Sequence, residues 1–266
     1  DLNKDEIENK LLNESVDSTL SSRPDEEGKI NPITQTIAEV TKIFQKMGFK
    51  TALGPDIEDD YHNFTALNIP PEHPARQLHD TFYFKKDKNN EQKLLRTHTS
   101  PVQIRALREY GAPLRVVAPG RVFRQETQDA THDHTFHQME GLVVDRGVGV
   151  PHMLHAMETL IEGLFDRSLE TRLRPGYFPF VEPGFELDAR CPFCQTGCRV
   201  CKRTRWIELL PCGLVHPNVL RAGGLDPDEW GGFAFGLGLS RLVMLRHNID
   251  DVRHLLGGDV RFLEQF

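Results

Sequence analysis

Apolar residues recur at helical spacing early in the chain. Ile33, Ile37, Val40, Phe44 and Met47 step by four and three residues and so share one face. Asn31 supplies a cap, Pro32 suits the first helical position and Gly48 suits the exit, which predicts a helix between Asn31 and Gly48. Residues 49–53 then read as a strand stopped by Gly54-Pro55. From Asp56 to Asp80 no period holds, and Pro70, Pro71 and Pro74 forbid regular structure through its centre. Short β runs follow at 81–84, 94–97, 114–118, 121–124 and 136–145, with the polar 85–93 link as a hairpin turn. One helix interrupts them, opened by Thr99 or Ser100 with Pro101 inside, and capping accounts for both hydroxyls. Further helices fit Val150–Phe165, Pro217–Ala222 and 239–246, with strands near Leu173, at 178–181 and at 206–210. Strands outnumber helices without a regular βαβα alternation, which predicts an α+β fold: an antiparallel sheet with helices packed on it.

Composition narrows the class. The 266 residues are 38% hydrophobic, enough for a sizeable core and against a wholly disordered chain. No run approaches the roughly 18 apolar residues of a membrane span. The opening Asp1-Leu2-Asn3-Lys4 has no secretory pattern, which points to a cytoplasmic protein. Residues 1–27 are polar, with a short amphipathic run at Ile7, Leu11 and Leu12, and read as an extension that follows some earlier segment. The formal charge of −7 argues against a stand-alone nucleic-acid binder, so any such contact falls to a local patch or a partner.

Four of the five cysteines lie within eleven residues. Cys191, Cys194, Cys198 and Cys201 read C-x2-C-x3-C-x2-C, which in a chain without a secretion signal points to a metal before disulfides. Four thiolates are the ligand set of structural tetrahedral Zn²⁺. The short Gln195-Thr196-Gly197 gap leaves a disulfide pair or reduced thiols open. Arg190, Arg199, Lys202, Arg203 and Arg205 surround the cluster and offset its charge. The insert lies between the 185–187 and 205–210 runs, so it should cap a hairpin, while Cys212 reads as an ordinary buried residue.

Three further segments place charge, aromatics or glycine where a strand should be bland. In Phe123-Arg124-Gln125-Glu126, strand alternation sets Arg124 and Glu126 on one face; in Phe136-His137-Gln138-Met139-Glu140-Gly141 it does so for Phe136, Gln138 and Glu140. Ordinary cross-strand pairs would account for each alone. Gly236-Leu237-Gly238-Leu239-Ser240-Arg241 fits a strand-to-helix junction that favours an anion, with Arg241 one turn in; tight packing would also explain its glycines. In Thr97-His98-Thr99-Ser100-Pro101 only His98 is surplus to capping.

Taken in order, a helix and strand ending at Pro55, then F-R-x-E, then G-x-G-x-x-R resemble the three signature motifs of class II aminoacyl-tRNA synthetases. Gly54-Pro55-Asp56-Ile57-Glu58, His73-Pro74-Ala75-Arg76, Leu95 to Pro101, Phe136 to Gly141, Phe178-Pro179-Phe180, Gly232 to Gly236 and the final Arg261 to Phe266 narrow it. These strings are similar to the phenylalanyl-tRNA synthetase α-subunit family across residues 28–266.

The resemblance implies a class II catalytic domain over 28–266, with residues 191–201 as a four-cysteine insert at a hairpin tip. It implies activation of phenylalanine by ATP with Mg²⁺ and transfer to tRNA(Phe), alongside a β subunit in an α₂β₂ heterotetramer. For ATP it implies Arg124 on the α-phosphate, Arg241 with Gly238 at the γ-phosphate end, Phe136 stacked on adenine, and Glu126 and His132 near the nucleotide. Glu208 is assigned to Mg²⁺. For phenylalanine it implies His98, Ser100, Gln138 and Glu140 around the α-amino group, Phe178 and Phe180 alternating on one strand face against the ring, and Ala234 as the pocket floor. Plain core packing would equally account for the two phenylalanines. The Asn31-to-Gly48 helix resembles the family's subunit-contact motif, though its stripe could instead pack on its own sheet.

There are departures. Ser240 replaces the acidic residue that usually precedes the motif arginine, the family's N-terminal coiled-coil arm has no counterpart in residues 1–27, and the four-cysteine insert is atypical. That insert has either a structural or a tRNA-facing role. Two other classes compete: an adenylate-forming paralogue that regulates or ligates without tRNA, and a zinc-knuckle nucleic-acid module. Arg124, Phe136 and Arg241 favour an enzyme over the first; the −7 charge disfavours the second.

Overall fold

The first helix of the larger unit, α1 (Pro32–Lys46), starts where its capping chemistry says. Asn31 Oδ1 accepts from the Ile33 amide at 2.9 Å and Pro32 occupies the first turn. The chain leaves it through Gly48 at φ +83°, a conformation glycine adopts freely. The computed structural model describes residues 28–198 and 201–266, with residues 4, 6–9 and 19 besides. The chain divides into two units, Asp1–Ile30 and Asn31–Phe266. In the first, residues 6–9 are helical and Ile7 is exposed; Leu11, Leu12 and Arg199 lie outside the described residues.

A seven-stranded sheet organises the second unit. In chain order its strands are β1 (Lys50–Thr51), β4 (Leu114–Phe123), β5 (Thr135–Asp145), β6 (Thr171–Pro175), β7 (Val181–Arg190), β8 (Trp206–Val215) and β9 (Gly231–Gly238). Their spatial order is β1-β4-β5-β9-β8-β7-β6, and only β1 runs parallel to its neighbour. A two-stranded sheet pairs β2 (Ile57–Asp59) with β3 (Lys93–Leu95). The other described α-helices of this unit are α2 (Asp60–Asn63), α3 (Pro101–Tyr110), α4 (Val150–Phe165), α5 (Pro217–Ala222), α6 (Leu239–His247) and α7 (Val260–Leu263). The expected α+β architecture is the observed one.

Alternation along β5 separates two cores. Met139 and Val143 join Val40 and Phe44 of α1 and the Met153–Leu164 face of α4, whereas Leu142 and Val144 join Ile104 and Leu107 of α3 and Val219 of α5. Gly141 is needed on the first face. A Cβ there would stand 2.0 Å from Cζ of Phe235, its cross-strand partner, whose ring stacks on Phe44 at 5.1 Å. The α1 stripe is therefore spent on the chain's own sheet, with Val40 and Phe44 fully buried.

Several expected boundaries move. The 114–118 and 121–124 runs are one strand carried through Pro119-Gly120. β1 pairs with β4 only as far as Val117, so at Pro119 that side is an edge, where a residue without an N–H is tolerated. The strand stops at Phe123, which takes Arg124 and Glu126 out of the alternation argued for them. They sit in a tight turn, Glu126 N to Arg124 O at 3.1 Å. The 56–80 stretch opens with β2 and α2, and short 3₁₀ helices form at Thr65–Leu67 and at Pro74–Arg76, where Pro74 takes the first turn and so does not forbid it. The 81–84 run contributes a single bridge, Tyr83 to Leu94.

Candidate active site

On the α3 side of the sheet, β5 and β9 floor a cavity of about 650 Å³. Its walls bring together His98, Ser100, Arg124, Gln138, Glu140, Phe178, Phe180, Glu208, Ala234, Gly238 and Arg241, eleven residues singled out from sequence.

The polar wall is built on buried charge. Glu140 is fully desolvated, which pushes its carboxyl up to about 7; the Ser100 hydroxyl, the Thr99 backbone and the Arg124 and Arg96 charges pull partly the other way. The Ser100 hydroxyl donates to Glu140 Oε2, and Gln103 Nε2 approaches the same oxygen at 3.4 Å. Ser100 stands at the start of α3 yet makes no capping bond, so the expectation that capping explains the hydroxyls is corrected. Thr99 Oγ1 has no partner either.

His98 is held neutral: burial first, then the Arg124 charge, drives its pKa down to about 3. Both of its ring nitrogens, and Gln138 Oε1, are buried without a hydrogen-bond partner. Buried polar atoms are normally satisfied. Three unpartnered polar atoms thus belong to two residues that line one cavity.

The apolar end is formed by Phe178 and Phe180, whose rings lie 6.1 Å apart at 31°. The strand alternation expected of them from sequence is not what the structure shows. Pro179 lacks an N–H, and the segment turns before β7, with Val181 N bonded to Phe178 O at 3.2 Å and Asn68 Nδ2 pinning Pro179 O at 2.7 Å. Ala234, on β9 opposite Leu142 and 5% exposed, lines the cavity with these rings.

Two arginines face the open end. Arg124 Nε donates to Thr97 O at 3.2 Å, and its guanidinium lies 5.0 Å from the centre of the Phe136 ring. Thr97 is in turn held by Asn63, through Nδ2 to Thr97 Oγ1 at 3.1 Å. Arg241 lies in the first turn of α6, exposed and with no ion-pair partner among the described residues. Ser240 is not idle: its hydroxyl accepts the His137 amide at 3.0 Å, tying α6 to β5. Glu126 and His132 lie outside the cavity on the loop after β4, where His132 Nδ1 meets Asp129 at 3.0 Å.

Glu208 reaches the mouth because of a bulge. Leu187 pairs with Leu210 but Asp188 with Glu208, which leaves Leu209 as an extra residue and re-aims the side chains beyond it. Arg174 holds Glu208 at 3.1 Å and Asp188 at 2.7 Å. An exposed carboxylate there suits Mg²⁺ that arrives with phosphates, provided Arg174 releases it. Cys212 is 2% exposed and packs with the Phe235 side of the sheet.

Sequence reasoning missed Gln103, Arg96 and Asn63. Gln103 was accessible, since it lies three residues after Ser100 on one helix face. Arg96 is 4% exposed, donates to Arg121 O at 2.7 Å and pairs with Asp56 at 3.1 Å; it fits only because residue 120 is glycine, whose Cβ would meet Arg96 Nη2 at 2.2 Å.

Away from the cavity, β7 and β8 carry the cysteine loop at their tip, with Arg190 paired to Trp206. The four thiols lie within 4.8 Å of one another, at 3.8 Å for Cys191–Cys198, 3.6 Å for Cys194–Cys201 and 3.8 Å for Cys198–Cys201. Sulfurs at the corners of a tetrahedron, each about 2.3 Å from a central ion, stand about 3.8 Å apart. None is in a disulfide. The Cys198 amide donates to Cys201 Sγ at 3.2 Å, which favours its thiolate. The donor set fits Zn²⁺.

Comparison with known proteins agrees with this geometry. The phenylalanine–tRNA ligase alpha subunit of Leptospira biflexa is 54% identical over 97% of this chain and 75% of its own length. That of Pseudomonas fluorescens strain Pf0-1 is 49% identical over 98% of this chain and 76% of its own. Pyrrolysyl-tRNA synthetase from Desulfitobacterium hafniense shares the fold at a TM-score of 0.62 and 17% identity, over 95% of this chain and 78% of that one. The family described as "tRNA synthetases class II core domain (F)" matches residues 15–266. The chain belongs to the class II tRNA synthetase core family and, within it, to the phenylalanine–tRNA ligase alpha subunits.

Proposed function

We propose that residues 28–266 form a catalytic domain that activates phenylalanine with ATP and transfers the acyl group to tRNA(Phe). The observation that carries this is the juxtaposition of buried, unpartnered His98 and Gln138 and the carboxyl of Glu140 with the Phe178–Phe180 pair. An amino acid with an aromatic side chain satisfies both ends at once. Its ammonium donates to Glu140, to Gln138 Oε1 and to the unprotonated ring nitrogen of neutral His98, with Ser100 holding Glu140 in place, and its ring meets two rings edge-on above Ala234.

In activation a substrate carboxylate oxygen attacks the α-phosphorus and the bond to pyrophosphate breaks, with charge building on phosphate oxygens. The protein's part is positioning and electrostatic stabilisation. Arg124 takes the α-phosphate, held in place by Thr97. Arg241, unpaired at the start of α6, takes the far end of the triphosphate with Gly238. Phe136 offers adenine the ring face that Arg124 does not cover. Glu126 and His132 are carried on the loop after β4, beside the cavity, and the Glu126 charge already acts on Arg124. Mg²⁺, held through Glu208, supplies charge neutralisation for the phosphates. Zn²⁺ on Cys191, Cys194, Cys198 and Cys201 is structural, since four thiolates leave no open position.

The relatives' names make this an alpha subunit, so we assign it a β-subunit partner, in an α₂β₂ assembly. Residues 1–27 stand as an extension to the catalytic domain. The test is amino-acid-dependent exchange between pyrophosphate and ATP by the complex with β, each of the twenty amino acids tried separately. Phenylalanine should dominate, with tyrosine lower by about 10². Exchange dominated by another amino acid, or none at all, would overturn the reading; exchange without aminoacylation of tRNA would favour the tRNA-independent paralogue.

A further inference from the structure

The hairpin tip holds a second cleft that the chemistry above does not use. It encloses about 510 Å³ between the 167–169 turn after α4 and the cysteine loop, lined by Arg167, Arg190, Phe193 and Gln195 among others. Phe193 is 46% exposed at its rim. Arg190 lies 5.4 Å from the Trp206 ring, which Arg172 also covers at 4.3 Å. Stacking thus fixes the Arg190 guanidinium while leaving its donors free.

Beside the cleft, Lys202, Arg203 and Arg205 are exposed, and all three have left-handed backbone, φ +49°, +63° and +67°. Non-glycine residues rarely adopt it. The loop imposes it through Arg203 N to Cys198 O, Thr204 N to Cys201 O and Cys191 N to Arg205 O, each 2.9 Å. The cysteine cluster therefore sets where these cations stand. Neither they nor Arg190 has an ion-pair partner among the described residues, whereas Arg172 and Arg174 are both tied to Asp188.

We propose that this tip is an RNA contact site: Lys202, Arg203 and Arg205 meet phosphates, and an unpaired base stacks on Phe193 beside Arg190. Cations left without carboxylates in a chain of net charge −7 match a polyanion, and an exposed ring matches the π face that every base carries. Position agrees: Glu208, which lines the cavity, is two residues along β8 from Trp206, about 7 Å at 3.3 Å per residue, so the tip lies within reach of an RNA whose end enters the cavity. The occupant is the tRNA of the proposed function, and the inference rests on that reading.

The test uses the full chain in complex with its β subunit, and the triple variant Lys202→Ala, Arg203→Ala, Arg205→Ala. Affinity for tRNA is measured across a salt series, with phenylalanine-dependent pyrophosphate exchange and zinc content alongside. Affinity should fall at least about tenfold near 0.1 M salt, and the slope of log K against log salt should shrink by about 2 to 3, with exchange and zinc unchanged. Phe193→Ala should lose about tenfold and Phe193→Tyr should keep native affinity. If the triple variant loses zinc, the set Lys202→Gln, Arg203→Gln, Arg205→Gln replaces it. Native affinity and slope in a variant that retains zinc would overturn the proposal, as would loss of β-subunit binding with tRNA contacts intact. A native complex without exchange overturns the proposed function and this inference with it, a result read separately.

Discussion

The cavity and the hairpin tip share two strands, β7 and β8, but handle charge in opposite ways. At the cavity, Glu140 is buried to the point of protonation near neutrality, and Arg174 is divided among Asp188, Glu186 and Glu208. At the tip, Lys202, Arg203 and Arg205 stand exposed and unpaired. Low dielectric makes the buried Glu140 charge strong and intolerant of a misplaced partner, whereas Arg174, Glu208 and Arg241 stay partly in water. Exposed charges are weak singly, screened by salt, and add up over a long polyanion. One region is built to choose a small molecule and the other to hold a large one.

The strongest way to break this contrast is Arg124→Ala. It should lower exchange by about 10²–10³ while tRNA affinity stays within a few fold, because the lost guanidinium lines the cavity beside Glu140 and His98 and not the tip. Parallel loss of tRNA binding would show that the regions are not separable. Glu140→Gln should lower kcat/KM for phenylalanine by roughly 10–100-fold, the range for a buried charge-assisted contact. It also bears on pH. The folded carboxyl keeps its proton to about 7 whereas an ordinary one releases it near 4.5. Folding stability therefore declines as pH rises from about 4.5 to 7, by at most about 3 kcal/mol. Ammonium binding needs the carboxylate, so kcat/KM for phenylalanine should climb over the same window. Thermal melts and kinetics at pH 5 and pH 8 should show both trends in the native chain and neither in Glu140→Gln.

Cys198→Ser sharpens the contrast from the other side. Native protein should carry one zinc per chain and the variant much less, with melting lowered by several degrees and exchange largely kept. Metal analysis well below one zinc in the native protein would remove the assignment. The smallest effect belongs to Ala234→Gly, which should admit para-chloro-phenylalanine through a gain worth about 1 kcal/mol, read as relative exchange rates. Continued rejection would mean that Ala234 is not the floor.

Much of this was legible in the sequence, for physical reasons that differ by element. Helix α1 followed from a cap, a proline and a glycine that each act locally. The Pro119 crossing was not, because tolerance there depends on how far the β1 strand reaches. Ser100 was misread for a similar reason. A hydroxyl before Pro101 looks like a cap until a carboxylate forty residues away takes it. The cavity residues followed from family strings, yet the bulge at Leu209 that aims Glu208 leaves no trace in residue order. Arg96 and Gly120 needed each other's coordinates to be noticed.

Asn31 does more than cap α1. Its Nδ2 donates to Leu255 O at 2.8 Å, Ile33 packs with Val243, Val252 and Leu255, and Glu39 pairs with Arg246. The first helix of the unit is thus fastened to almost its last residues, a separation of 224 in sequence for the Asn31 bond. On the ribosome, α1 emerges long before the partners that stabilise it, with its Val40–Phe44 stripe uncovered in the meantime. A chain so closed gathers its longest contacts last and folds slowly, with an exposed apolar helix as its point of risk. The cysteine loop has no such wait, since its ligands lie within eleven residues and can close on a metal as soon as they leave the tunnel.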